Sequence, residues 1–408
     1  MRREATARRS LWGLSALAFV GGLGGGVVFP ILPVVGLTLG IAPAMIGLIL
    51  ALNRITRLAI NPFTGELVDR FGARWPLLTG LAVGGFATVC FAVGLRSGHP
   101  TAWFLFGRAL WGVGSSLLMV GSLTAALIIS DDATRGKSAA LVRMSLSFGV
   151  PAGLALGGLV ADLFSARAAF LSAAGITFGG AVAAYFIAPT RAAASSARHP
   201  HKKPPTGTVM RDLLRNGPLW MVWAFNFIVF FAIQGVLLAS LVLIIRDRHL
   251  ALASLGAEGT SGILMAAMLA SSALISLAAG RWIDRRGRKA SLLLPASLCC
   301  IGGFAVLAAG SGMSAAVLGL SAIGIGLGGI NVPLIVIIGD LVGADRYGRA
   351  IGLYQVLGDI GGSLGPIIGL EAVSRYGPKP ALAALAVALL VTVPLSAALW
   401  RRERTAAA

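Results

Sequence analysis

Long apolar stretches separated by short polar breaks set the pattern of this chain. Charges, glycines and prolines divide it into twelve apolar runs, at 11–36, 43–64, 75–95, 102–129, 138–161, 168–188, 218–245, 260–280, 290–310, 313–339, 348–371 and 379–400. A helix needs about 20 apolar residues to cross a bilayer, so each run is long enough. Backbone groups find no water in the hydrocarbon layer, and each run is therefore predicted to be helical. Composition points the same way. The 408 residues are 57% hydrophobic and 12% charged, with a mean hydropathy of +0.86. That is too apolar for an ordinary soluble domain and predicts an all-α, polytopic membrane protein.

The polar punctuation repeats. Gly65-Glu66-Leu67-Val68-Asp69-Arg70-Phe71-Gly72-Ala73-Arg74 is read as a charged turn between the second and third runs. Gly280-Arg281-Trp282-Ile283-Asp284-Arg285-Arg286-Gly287-Arg288-Lys289 has the same spacing between the eighth and ninth. Gly65 matches Gly280, Asp69 matches Asp284, Arg70 matches Arg285 and Gly72 matches Gly287, while Arg74 and Lys289 keep a basic residue. The same offset relates Gly114 to Gly329 and Pro151 to Pro366. Pro151 lies among Gly149, Gly157 and Gly158, and Pro366 follows Gly365. Matched glycine and proline interruptions predict two pseudo-symmetric six-helix halves in parallel register, an architecture of transporters. Residues 1–189 form the first half and 218–408 the second, joined by a basic linker at 190–217. Within that linker Val209–Arg215 reads either as a short amphipathic helix drawn to anionic lipids or as plain connecting chain.

A net charge of +19 raises nucleic acid as a partner, but the distribution of the charge argues against it. Most of the 34 lysines and arginines fall in the termini and every second loop. The remaining loops hold only Arg96, Arg167, Arg246, Arg248, Arg375 and Lys379. Such asymmetry sets topology, and it predicts a plasma (inner) membrane protein with both termini cytoplasmic. Trp12, Trp75, Trp103, Trp220, Trp223, Trp282 and Trp400 lie near run ends, where amphipathic rings settle. Arg2, Arg3, Arg8 and Arg9 precede a first run too long for a signal peptide, which reads as an uncleaved span. Cys90, Cys299 and Cys300 sit in apolar runs and read as packing, and the four histidines have no metal-ligand spacing. No metal or cofactor is expected.

Polar residues inside the runs are the candidates for chemistry. Arg54, Arg57, Arg108 and Arg143 each cost roughly 2.5–3.5 kcal/mol if exposed to lipid at mid-depth, so each needs a partner or a wet cavity. Asn53, Arg57 and Asn61 recur every four residues, and Arg54 shares their helix face. Asp359 is the main acid at depth. Counting about 1.5 Å per residue places it and Arg54 both roughly 16 Å from the charged ends of their helices. Trp111, deep in the fourth run, is either packing or the wall of a ligand cavity. Gln234 and Asn331 carry amides that need partners in an apolar setting.

These motifs resemble the major facilitator superfamily over essentially the whole chain, and within it the twelve-helix drug:proton antiporters. Gly65 to Leu77 resembles that family's loop signature G-x-L-x-D-R-x-G-R-R/K-x-x-L, and Gly280 to Leu292 its second-half copy. The first copy departs at Ala73, where a basic residue is usual. Arg108-Ala109-Leu110-Trp111-Gly112-Val113-Gly114 resembles the fourth-helix R-x-x-x-G-x-G pattern. The Pro151 segment resembles the Gly-Pro signature associated with antiporters, with Gly149 and Pro151 one residue further apart than usual. Phe29-Pro30-Ile31-Leu32-Pro33 also looks like drug:proton antiporters, although the acid that many of them carry in the first helix is missing.

Asp69 and Asp284 stand beside helix ends and arginines, so Gly65, Asp69, Arg70, Gly72 and Arg74, with Gly280, Asp284, Arg285, Gly287, Arg288 and Lys289, read either as a two-state latch or as a solvated polar loop that only fixes topology. The resemblance implies a cavity lined by the first, fourth, seventh and tenth helices. The candidates there are Phe29, Arg108, Trp111, Asn226, Phe230, Gln234 and Asn331, joined by Asn53, Arg54 and Arg57. In the resembled fold helices two and eleven pack together, which predicts an ion pair from Asp359 to Arg54 or Arg57. That pair reads as a structural bridge or as a carboxylate that protonates during transport.

The expected function is secondary active transport of a small, anionic or amphiphilic organic molecule by alternating access, as proton-coupled efflux. Proton-coupled uptake of an organic anion is the first alternative, resting on the arginine surplus. A non-transporting membrane scaffold or sensor is an alternative of another class. No G-x-x-x-x-G-K-S/T loop is present for ATP drive, and no catalytic set appears at depth, so an enzyme is not expected. A monomer is expected.

Overall fold

The structure, a computed structural model, describes residues 2–130, 135–188 and 206–407. The linker residues Arg191, Arg198, His199, His201, Lys202 and Lys203 lie outside the described residues. Among the described residues, twelve helices are long and apolar enough to cross a membrane: Ser10–Thr38, Pro43–Val68, Arg74–Gly94, Pro100–Ile128, Gly136–Leu163, Ala166–Ile187, Gly217–Asp247, Ala257–Arg286, Ala290–Ala309, Met313–Leu341, Arg346–Tyr376 and Pro378–Thr405. They are numbered below as spans one to twelve.

Local chemistry explains where the helices begin and break. Prolines stand in the first turn of spans two, four, seven and twelve, where the missing N–H would have no intrahelical partner. Ser165 and Asn216 cap spans six and seven by accepting from Ala168 N and Leu219 N. Span one is interrupted at Val27. Pro30 has no N–H to donate to the Gly26 carbonyl. Span twelve is interrupted at Leu390 and Val391, because Pro394 likewise cannot donate to Leu390. Span seven contains a π-helical segment, Phe230–Leu237, that periodicity does not anticipate.

Two expected boundaries are corrected. The helix of span two runs on to Phe71, and span eight runs to Arg286. Most of each charged motif is therefore helical end rather than turn. The chain leaves each helix only at the motif's second glycine. Gly72 (φ 78°) and Gly287 (φ 64°) occupy conformations that a side chain resists. Their N–H groups donate to Val68 O and Ile283 O, each at 2.8 Å. By contrast, a Cβ at Gly65 or Gly280 would meet nothing.

The chain divides into two compact units. One comprises Met1–Ala42, Ile49–Pro200 and Ala253–Ala266, and the other Pro43–Leu48, His201–Leu252 and Ala267–Ala408. In the first unit, span five lies backbone to backbone on span one. A Cβ at Gly149 would meet the Phe19 carbonyl, one at Gly153 the Leu23 carbonyl, and one at Gly22 the Leu146 carbonyl. The start of span eight packs on the same span five, with Gly262 against the Leu154 carbonyl and Gly158 against that of Glu258. A buried cluster of Leu14, Leu17, Leu77, Leu81, Leu118 and Ala184 completes the core.

The second unit repeats this arrangement. Span eleven lies on the π segment of span seven, where a Cβ at Gly365 would meet the Cα of Gly235 and one at Gly361 the Phe227 carbonyl. The start of span two packs on span eleven, with Gly47 against the carbonyl of Pro366. Trp223 corrects an expectation. It is fully buried in this unit, edge-on to Trp220 at 5.4 Å, rather than settled at a membrane boundary. Trp12, Trp75 and Trp220 are about half exposed, as boundary rings should be. The short linker helix forms over Thr206–Arg215, buries Leu213 and pairs Asp212 with Arg346 at 3.3 Å.

Because lipid tails are as apolar as leucine, close backbone packing carries helix association in a bilayer. Gly365→Val should therefore lower unfolding stability in detergent by about 1–3 kcal/mol through overpacking. Gly302→Ala, on an exposed face of span nine with open space around it, should leave stability equal or raise it by up to about 1 kcal/mol. Thermal unfolding of the two variants side by side checks the contrast.

Candidate functional site

The polar chemistry of the first unit centres on span four. Arg108 is 1% exposed, and its Nη2 donates to the Leu50 carbonyl of span two at 3.0 Å. Its guanidinium lies over the ring of Phe29 at 5.6 Å. Among the described residues its Nε and Nη1 have no hydrogen-bond partner. Arg54 is near enough for the two like charges to act on one another. A buried cation with unpaired donors beside an aromatic face can donate to an anionic or carbonyl oxygen.

The glycines of the R-x-x-x-G-x-G pattern have a packing reason. A Cβ at Gly112 would meet Asn53 O and Thr56 on span two, and one at Gly114 would meet Gly80 O on span three. That close approach brings a ladder of polar side chains together. Ser115 Oγ donates to Asn53 Oδ1 at 3.3 Å, and Ser116 Oγ donates to Asn61 Oδ1 at 2.7 Å. Ser116 Oγ also lies 2.7 Å from Thr64 Oγ1. Asn53 and Asn61 thus face span four, while Arg57 is half-buried on the same helix. Trp111 is 5% exposed and fills the space left by Gly24, Gly25 and Gly84. Its surroundings are those of a packing residue. Arg143 is exposed beside a small cavity of about 150 Å³ lined by Ser122, Leu146 and Ser147.

In the second unit Asn226 is buried, and its Nδ2 donates to the Tyr354 carbonyl at 2.8 Å. Gly358 of span eleven makes room for that amide. Asp359, the next residue, is 3% exposed. Phe230 and Gln234 lie in the π segment and are half-buried, as is Asn331 on span ten. A π-helical turn at candidate ligand residues is a common mark of a functional site.

The two charged motifs are held differently. In the first, Ala73 is 1% exposed within the apolar cluster, which gives a physical reason for the missing basic residue. Arg74 donates through Nη2 to the Tyr185 carbonyl on span six and stacks on the Tyr185 ring at 4.2 Å. Arg70 is exposed, and the Asp69 side chain lies outside those described. In the second motif Lys289 pairs with Asp340 of span ten. Glu403 of span twelve accepts from Lys289 N at 2.6 Å and Ala290 N at 3.1 Å, closing the start of span nine. Asp284, Arg285 and Arg288 are exposed.

Four contributors were missed by sequence reasoning. Glu403 had a signal, as the lone acid in a basic terminal run. Asp340, Asp162 and Arg248 had none. Asp162 accepts from Gly259 N at 2.7 Å and caps span eight. Arg248 donates to Gly310 O and Leu307 O at 2.8 and 2.7 Å, capping the end of span nine. Its burial lowers its pKa from the usual value, against the opposing charge of Asp247.

The profile of the Major Facilitator Superfamily matches residues 14–366 and 250–408. This chain belongs to that superfamily. Multidrug resistance protein 2 of Bacillus subtilis is 28% identical over 169 residues, 41% of this chain and 41% of that protein. The synaptic vesicular amine transporter of Bos taurus is 30% identical over 169 residues, 41% of this chain and 31% of its own length. Quinolone resistance protein NorA of Staphylococcus aureus is 28% identical over 141 residues, 35% of each chain. These alignments span less than half of the relatives' own length. Among solved structures, the nucleoside transporter NupG has a TM-score of 0.77 at 15% identity, covering 96% of this chain and 99% of that one. A bacterial homolog of the human lysosomal transporter Spinster, inward-facing and occupied, has a TM-score of 0.76 at 13% identity, covering 96% of both. At these identities the likeness is one of fold. The superfamily consists of membrane transporters, and this chain is a multi-pass member of it.

In this superfamily member the polar ladder between spans two and four should be energetically measurable. Ser116→Ala leaves Asn61 and Thr64 short of a partner and should cost about 1–3 kcal/mol. Thermal unfolding compared with Ser271→Ala, whose hydroxyl is exposed and bonds only within its own helix, isolates the interhelical part.

Proposed function

We propose that this chain exports a small amphiphilic organic molecule across the plasma (inner) membrane in exchange for protons, with both termini cytoplasmic. Alternating access of two six-helix halves, joined near residues 190–217, moves the substrate. The observation that carries the reading is Arg108. A fully buried guanidinium with two N–H-bearing nitrogens unpaired is costly to keep unless a ligand meets it, and Phe29 supplies the apolar face for the rest of that ligand. The names of the relatives, multidrug resistance protein and quinolone resistance protein, support efflux. The glycine seams at Gly149, Gly157, Gly158 and Gly365, beside Pro151 and Pro366, support the likeness to antiporters.

Asp359 is the candidate for proton coupling, either through its own titration or through pairing with Arg54 or Arg57. The repeated motifs act as the latch that holds one packing of the helices and releases another. A second reading, proton-coupled uptake of an organic anion, is favoured by Arg54, Arg57, Arg108 and Arg143 at membrane depth. The protein works as a monomer in either case.

Counterflow in proteoliposomes, with anionic and cationic amphiphiles at two pH values, tests the proposal. A transporter exchanges label without a gradient, whereas a scaffold or sensor shows no exchange. Asp359→Asn should keep counterflow and lose at least about tenfold of pH-driven transport, the change expected when a proton-carrying group is removed. Retained pH-driven transport in that variant would exclude Asp359 as the coupling group. Arg108→Met should unfold at an equal or higher temperature while losing transport, because a buried charge is exchanged for an apolar side chain of similar length.

A further inference from the structure

The end of the second unit beside Glu403 holds a basic, aromatic pocket. Trp282 and Arg286 from the last turn of span eight, Arg288 from the following loop, Pro295 of span nine, and Trp400 and Arg404 of span twelve surround an open space of about 960 Å³. The Arg404 guanidinium lies 4.1 Å from the Trp400 ring centre, and that of Arg286 lies 5.7 Å from the Trp282 ring. A guanidinium held by its face keeps its N–H edge free for in-plane bonding to oxygen anions.

Glu403 also lines the pocket and keeps its charge, but Arg286, Arg288 and Arg404 outnumber it. Both oxygens of Glu403 accept from the backbone at Lys289 and Ala290. Lys289 pairs with Asp340 and Arg346 with Asp212, and neither pair involves Arg286, Arg288 or Arg404. All three arginines are exposed. Indole rings favour the boundary between headgroups and acyl chains, and Pro295 and Leu292 give the pocket an apolar wall.

We propose that this pocket binds the phosphate of an anionic phospholipid headgroup. The phosphate oxygens accept from Arg286, Arg288 and Arg404, and the glycerol and upper acyl carbons lie against the indoles and Pro295. A free phosphate shares the charge but lacks the part that the apolar wall would cover. Bound lipid bridges the end of span twelve to the loop between spans eight and nine, beside the Glu403 clamp.

The test uses the full-length protein in detergent, with phosphatidylglycerol, phosphatidylcholine or glycerol phosphate added at equal concentration. Native mass spectrometry reads occupancy and thermal unfolding reads stability. Phosphatidylglycerol should be retained in preference to phosphatidylcholine and should raise the unfolding temperature, with no shift from glycerol phosphate. Replacing one arginine should lower occupancy about fivefold, so Arg286→Gln with Arg404→Gln should abolish the preference. Arg286→Lys with Arg404→Lys should keep most of it, and all variants should unfold together in phosphatidylcholine, which separates lost binding from lost folding. Equal retention of both lipids, a preference that survives the glutamine pair, or an equal shift from glycerol phosphate would each overturn the proposal.

Discussion

Close approach of helix backbones is the constraint on which the rest of this structure depends. In a bilayer an apolar side chain gains little by leaving lipid for a neighbouring helix, so association relies on dense van der Waals contact and hydrogen bonds. Here contact is reached where side chains are absent. Gly149 and Gly153 meet carbonyls of span one, and Gly361 and Gly365 meet span seven. The same spans, five and eleven, also receive the starts of spans eight and two at Gly262 and Gly47. Two seams of one design thus hold each unit. The matched prolines, Pro151 and Pro366, lie within them.

Polar groups are placed by those seams rather than scattered among them. Gly112 brings span four so near to span two that Asn53, Asn61 and Thr64 find the hydroxyls of Ser115 and Ser116. The same approach lets Arg108 reach the Leu50 carbonyl while, among the described residues, two of its nitrogens have no partner. A cation in such a place is unfavourable for the fold alone, as an incompletely paired buried charge is. At the helix ends charges have a different task. Asp162, Arg248 and Glu403 each satisfy backbone groups at a helix terminus, where the end dipole favours them.

Much of the fold was legible before any coordinates. Apolar runs of membrane-crossing length have one solution in lipid, a helix, and among the described residues a helix is found for each of the twelve. Departures occur where charge was taken for a turn. A helix continues through Asp284 and Arg285 because nothing in them breaks it, and it stops at Gly287 because a positive φ is available there. Trp223 was misplaced for a related reason. Its position near a run end suggested a boundary ring, but burial depends on the helix face and on what packs against it.

What the sequence determined by itself is everything that depends on local covalent chemistry and on the solvent. It settled helix from apolar length, the internal repeat from matched Gly, Asp, Arg and Pro, superfamily resemblance from the spacing of the charged motifs, and the polar residues that lipid would not tolerate. Tertiary structure decided which of those residues meet. The pairing of Lys289 with Asp340, the grip of Glu403 on the start of span nine, the Tyr185 seat of Arg74 and the π segment under Gly365 all join positions far apart in the chain. No local pattern encodes such meetings, because they depend on the rotation and depth of whole helices, and these are set where backbones touch.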